Sequence, residues 1–265
     1  MELQSEDVLD HLTSLVDQSL VLLEGGEAGP VRCRLLESVR AYARARLAGS
    51  GEAETYRQQH AVYYLGLAEE ALPAPGRTLQ PAVLDRLAQA HDNLRAALRW
   101  CIAQDDAGRG LRLADPLGRF WDARGHWSEG RAWLAALLAL PHGPSPTAWR
   151  AMALWHAGYL AQRQADHAAA HVLYAQSLAM WRRLGDARGI ARTLNSLAGL
   201  AHRRGDYDAA HAHLEAALAI WQASGDKWRS AEYLNLLGEL AREAGDHAAA
   251  VPRYKQNLAL RRALG

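Results

Sequence analysis

Apolar side chains recur every three or four positions along most of the chain, the spacing of amphipathic helices rather than strands. In the second half these blocks are broken by Gly-Asp at 185–186, 205–206, 225–226 and 245–246, one pair every 20 residues. Glycine closes a helix in the left-handed conformation, and aspartate caps the free N–H groups of the next one. Each pair therefore predicts a joint between antiparallel helices of about 17 residues. A longer period of 40 contains this one. It holds Asp166, Asp206 and Asp246 in register, and likewise Leu178, Leu218 and Leu258. Tyr174, Leu214 and Tyr254 keep the same spacing, as do Trp155, Asn195 and Asn235. In the second unit Ala209, Ala210, Leu214, Ala217, Leu218 and Trp221 form one stripe, with alanines for close approach and leucines to fill the seam. The first unit departs from the pattern, with Ala165 where the turn glycine should stand.

The first half reads differently. Val8, Leu9, Leu12, Leu15 and Val16 share one face of a helix over 7–18. Two short apolar runs, 19–23 and 31–35, flank a Gly-rich turn and predict a β-hairpin. A helix from Leu36 to about Leu47 follows, so that helix, hairpin and helix make up the last parts of a winged helix. Further helices are predicted over His60–Leu72, Leu84–Gln104, Leu111–Arg124 and Trp127–Leu140. The joint Arg124-Gly125-His126 imitates the later turns and marks a degenerate repeat. The three prolines in 141–146 prevent a helix from continuing. The expected segments are a partial winged helix (1–50), a helical arm (51–145) and three repeats (146–265).

Composition narrows the function. The 265 residues carry 30 Lys+Arg against 29 Asp+Glu, a net charge of +1 that excludes a general polyanion binder. Only Lys227 and Lys255 are lysines, and neither follows a glycine ahead of Ser or Thr, so no phosphate-cradling P-loop is present. G-x-S-x-G, H-E-x-x-H and G-x-G-x-x-G are absent too, and neither catalysis nor a cofactor is expected. His167 and His171 have metal-ligand spacing, but no further ligand completes a set. They read as helix-surface residues. Glu69-Glu70 and Asp105-Asp106 are adjacent residues that diverge, which makes them poor acid–base pairs. Tryptophans 133, 155, 181, 221 and 228 read as core, except Trp155, which the register turns inward. Cys33 and Cys101 give no disulfide framework, the longest apolar run (Trp133–Leu140) is far too short for a membrane span, and the acidic N-terminus is no signal peptide. The chain reads as cytoplasmic.

The 40-residue unit resembles the tetratricopeptide repeat in its longer form. The resemblance rests on Leu197-Ala198, Gly205-Asp206-Tyr207-Asp208-Ala209-Ala210, Leu214 and Ala217-Leu218, with Leu237-Gly238, Gly245-Asp246-His247, Ala250, Tyr254 and Leu258 in the next unit. The implied fold is all-α, a right-handed α-solenoid preceded by the arm and the winged-helix remnant. The stretches at 12–21, 34–43, 91–100 and 118–134 are similar to NB-ARC/STAND bacterial regulators of the SARP-like and LuxR-like types. In that family a nucleotide-binding domain precedes the winged helix, the arm and the repeats. A Met-His-Asp triplet contacts the nucleotide there, whereas Leu35-Leu36-Glu37 stands at the matching place here, so nucleotide sensing is not expected.

The resemblance places a partner groove on the first helix of each pair. It implies Met152, Trp155, Tyr159 and Gln162, then Arg192, Asn195, Gly199 and His202, then Glu232, Asn235, Glu239 and Arg242. A side-chain amide can both donate to and accept from an extended peptide backbone, which makes the Asn195–Asn235 column notable. The implied partners are a protein or peptide ligand and the parent protein's nucleotide-binding domain. Tyr254, Leu258 and Leu260 predict self-association at the repeat end. Glu6, Asp7, Asp10 and Asp17 lie on the would-be recognition helix without a Lys or Arg, which argues against direct DNA readout. The Arg32, Arg34, Arg40, Arg44 and Arg46 cluster lies beyond that helix and reads as a solvated face.

Overall fold

The computed structural model describes residues 5–24, 32–71, 80–141 and 147–264. Among these are thirteen α-helices and two strands, in two compact units, 1–59 and 60–265. The expected Gly-rich turn at 25–30, the Pro73–Gly76 stop and the 142–146 part of the proline segment lie outside the described residues.

In the first unit α1 (Ser5–Asp17) leads into β1 (Val21–Glu24) and β2 (Arg32–Leu35), followed by α2 (Glu37–Ser50). The hairpin is antiparallel, with Val21 opposite Leu35 and Leu23 opposite Cys33. Val21 is buried, and Leu12, Leu15 and Val16 of the α1 stripe are half-buried. Val8 and Leu9 of the same stripe are exposed, so that face is covered at one end only. The side chains of Glu6, Asp7 and Arg32 lie outside the described residues.

The second unit is an α-solenoid. It takes in α3 (Ala53–Glu70) from His60 onwards, then α4 (Pro81–Gln89), α5 (His91–Ala103), α6 (Ala107–Arg124) and α7 (Trp127–Ala139). Then come α8 (Ala148–Arg163) with α9 (His167–Leu184), α10 (Ala187–Arg203) with α11 (Tyr207–Ala223), and α12 (Lys227–Glu243) with α13 (His247–Leu264). The long helix expected over 84–104 is two helices. Ala90, at φ −88° and ψ 1°, interrupts it. Alanine is the best helix former, so periodicity could not mark this break.

The 20-residue joints run further upstream than the Gly-Asp pairs do. Left-handed backbone occurs at Asp105, Gly125, Ala165, Gly185, Gly205, Gly225 and Gly245. After six of these seven joints an aspartate carboxylate accepts the N–H three residues on, as Asp106 does from Arg109 at 2.9 Å and Asp186 from Gly189 at 2.8 Å. The exception is the joint at Gly125, where His126 makes no such bond. Ala165 thus holds the conformation its glycine counterparts hold, with φ +60°. The arm helices α6 and α7 therefore form a helix pair in register with the later ones.

Packing within each pair follows a size rule. Gly158 faces Tyr174 and Gly238 faces Tyr254, so closely that an added Cβ would meet either ring at 2.8 Å. In the pair between them, Ala198 stands in the glycine's place and Leu214 in the tyrosine's. A smaller residue on the first helix thus admits a larger one on the second. Two clusters make up the core. One gathers α3–α8 around Phe120, Trp121, Leu134 and Leu160, and the other gathers α8–α12 around Tyr174, Leu197 and Leu218. Trp181 and Trp221 are core residues as expected, but Trp228 is 57% exposed.

Candidate partner groove

The first helices of the pairs, α8, α10 and α12, line an inner face with two cavities. The first, about 300 Å³, is lined by Tyr159 and Gln162 of α8, Asn195, Gly199 and His202 of α10, and Leu236, Glu239 and Glu243 of α12. Leu214 and Ala210 of α11 also border it. Its walls are partly fixed by their own bonds. Gln162 accepts from the Tyr174 hydroxyl at 3.0 Å, His202 Nε2 lies 2.6 Å from Glu243, and Asn235 Nδ2 donates to Glu239 at 2.8 Å. Burial, followed by the nearby Asp122 charge, pushes the Tyr159 phenol above its usual range, so it stays a neutral donor.

The second cavity, about 540 Å³, reaches across α6, α8, α10 and α12. Asp115, Arg119, Met152, Arg188, Arg192, Arg229 and Glu232 line it, beside Trp181, Trp221 and Tyr233. Asn195 borders both cavities. Asp115 is fixed by His156, whose Nε2 lies 2.9 Å from the carboxylate. Burial opposes ionisation of Asp115. The His156 bond and the charges of His156, Arg119 and Arg192 outweigh that penalty and hold its carboxyl below the usual range.

The sequence-derived residues separate on these cavities. Tyr159, Gln162, Asn195, Gly199, His202 and Glu239 come together at the first, and Met152, Arg192, Asn195 and Glu232 at the second. Trp155, Asn235 and Arg242 line neither. The half-buried Trp155 ring stacks on Tyr159 at 5.4 Å, and its indole N–H donates to Ser196 Oγ at 3.0 Å. Trp155 therefore joins α8 to α10. In the Asn195–Asn235 column one Asn235 N–H is taken by Glu239, leaving its second N–H and its Oδ1 for a ligand. Arg242 is exposed and lies 3.6 Å from Glu243.

Asp115, Arg119, Arg188, Ser196, Arg229 and Glu243 were missed by sequence reasoning. The signal for two of them was present. Asp115 precedes Trp155 by 40 residues and Arg119 precedes Tyr159 by 40, so extending the register into the arm would have found both. Among the described residues no group of His, Cys, Asp and Glu could hold a metal, and no helix is long and apolar enough to cross a membrane.

Comparison with known proteins adds to this geometry. The tetratricopeptide repeat family matches residues 149–223 and 189–263, and the winged helix-turn-helix domain family matches residues 1–48. The chain carries tetratricopeptide repeats and an N-terminal winged helix-turn-helix domain. Proteins of Mycobacterium tuberculosis and Mycobacterium bovis designated HTH-type transcriptional regulators are each 35% identical over 202 residues. That match takes in 74% of this chain and 23% of each relative, so the matched stretch spans about a quarter of those proteins. Among solved structures, BtubC (BKLC) from P. vanneervenii has a TM-score of 0.63 at 19% identity, covering 83% of this chain and 91% of its own. Aspartyl phosphate phosphatase F of Bacillus subtilis has a TM-score of 0.60 at 10% identity, covering 98% of this chain and 62% of its own. At such identities these likenesses speak for the helical-repeat fold alone.

Proposed function

We propose that this chain is the non-enzymatic sensor and protein-interaction part of a STAND-type transcriptional regulator, acting in the cytoplasm. The groove across α8, α10 and α12 takes a peptide segment, a protein partner or an inducer, and the arm passes occupancy on to a nucleotide-binding domain of the parent protein. The observation that carries this reading is the 300 Å³ cavity, where an aromatic ring, side-chain amides and carboxylates converge from three successive first helices. Repeat solenoids use such inner faces for extended ligands. Signalling follows from population shift, because a ligand moves the arm only as far as it prefers one arrangement over the other. The similarity to proteins designated transcriptional regulators supports the setting.

Gly199 provides the test. A Cβ there would meet nothing within 4 Å, and the residue borders the cavity. Gly199→Leu should therefore fill the groove without disturbing the fold. Affinity capture from the source cell's lysate should retain a partner on the wild type and lose it on the folded variant. Equal retention on both would count against the groove. A second reading, a DNA-contacting subunit, is favoured by the winged helix-turn-helix match alone. It requires duplex binding that falls steeply with salt.

A further inference from the structure

The second cavity holds a cation without a carboxylate partner. Arg192 Cζ lies 5.2 Å from the centre of the Trp155 ring and 5.8 Å from that of Trp181. Its Nε is buried and unbonded, and among the described residues no carboxylate forms an ion pair with its guanidinium. Burial pulls the Arg192 pKa down from the usual arginine value, and the more distant charges of Asp115 and Asp186 only partly offset this.

The acids around the cavity are committed elsewhere. Asp115 is held by His156 at 2.9 Å, and Asp186 caps α10 through the Gly189 N–H. Asp226 accepts the Arg229 N–H, and Glu232 is paired with the Arg229 side chain at 2.8 Å. Glu232 is the 40-residue counterpart of Arg192, so the same position is a neutralised acid in one repeat and an unpaired base in the one before. Arg192 is half-buried with its Nε shut off from water, a setting that favours an anionic partner, and a carboxylate matches the guanidinium fork.

We propose that Arg192 is the anchor for an acidic side chain of a peptide segment lying along the inner face. This deepens the groove reading above and rests on it. A peptide fits better than a small anion because both cavities lie along α8, α10 and α12 with Asn195 bordering each, so that an extended ligand can contact both. A chain seated with its carboxylate on Arg192 passes Asn195 and enters the first cavity beside Tyr159 and Gln162. The Trp155 and Trp181 faces then cover the guanidinium and shield the new pair from water.

The test uses a fluorescent peptide, acetyl-Glu-Leu-Glu-Leu-Glu-amide, and its all-Gln counterpart, with anisotropy read on the full chain. Wild type should bind the Glu peptide about ten-fold more tightly than the Gln peptide. Arg192→Gln should abolish that preference, and Arg192→Lys should restore part of it. Because the two peptides are compared on the unmodified protein, a misfolded variant does not blunt the test. Equal binding of both peptides to wild type, or a preference that survives Arg192→Gln, overturns the proposal. Inorganic phosphate that binds in an Arg192-dependent way while the peptide does not would also overturn it, assigning the site to a small anion. Gly199→Leu separates the two readings. If it removes a partner that shows no dependence on Arg192, the groove stands and only the acidic anchor fails.

Discussion

His156, buried, and Asp115, half-buried, form a pair at 2.9 Å that joins α8 to α6. A close approach makes room for it, since a Cβ on Gly118 would meet the His156 ring at 2.4 Å. The pair ties the arm to the first regular repeat inside one core. His156→Leu would leave the half-buried Asp115 carboxylate without its bond, at a cost of about 2 kcal/mol. Urea unfolding should move to lower denaturant, and an unchanged midpoint would mean that Asp115 is satisfied without His156.

Acid should weaken the arm through Glu129. Its bond from Arg95 is the main influence holding its carboxyl down at about 2, against a usual value of 4.5. A depressed carboxylate contributes stability that is complete above the unfolded pKa and is lost as pH falls through the folded one. The wild type should therefore lose melting temperature progressively from about pH 4.5 towards 2, beyond the loss seen in Glu129→Gln. Parallel melting curves for the two proteins across that range would refute the assignment.

The joint at Ala165 should be improvable. A left-handed alanine is strained by about 1 kcal/mol relative to glycine, although glycine loses more freedom on folding. Ala165→Gly should be neutral to mildly stabilising, whereas Gly205→Ala, at φ +74°, should destabilise by about 1 kcal/mol. Thermal melts of both decide this, and a clear loss in Ala165→Gly would show that the joint is not strained.

Close packing makes the opposite prediction at Gly189. An added Cβ would fall 2.3 Å from the Trp181 ring, which is buried between helices. Gly189→Ala should therefore cost about 2 kcal/mol and displace Trp181, a shift visible in tryptophan fluorescence. An unaltered spectrum and midpoint would show that Trp181 has room to move.

Much of the architecture was legible because it repeats. Gly185, Gly205, Gly225 and Gly245 mark their joints openly, since left-handed backbone favours glycine. The joints at Asp105 and Ala165 are left-handed without a glycine, so the 40-residue register located the second and only a helix end was read at the first. Periodicity also placed Tyr159, Gln162, Asn195 and Glu239 on one face, because side chains four apart on a helix share a side. It could not tell an open position from one filled by a neighbour. Trp155 lies on the expected side of α8 but its indole is bonded to Ser196, and one N–H of Asn235 is taken by Glu239. Arg192 carries no special mark in the sequence. What sets it apart is the absence of a carboxylate beside it, and that depends on which acids the fold commits elsewhere.

The central claim is that partners bind the inner face, and two variants on opposite sides of the repeats test it most directly. Gly199→Leu fills the inner groove, while Val172→Glu alters α9 at an exposed position bordering neither cavity. Binding isotherms of the captured partner should show Gly199→Leu weakened by at least about ten-fold, roughly 1.4 kcal/mol. Val172→Glu should match the wild type, with both variants melting normally. Loss on Val172→Glu with full binding by Gly199→Leu would contradict the account and move the interaction to the outer face.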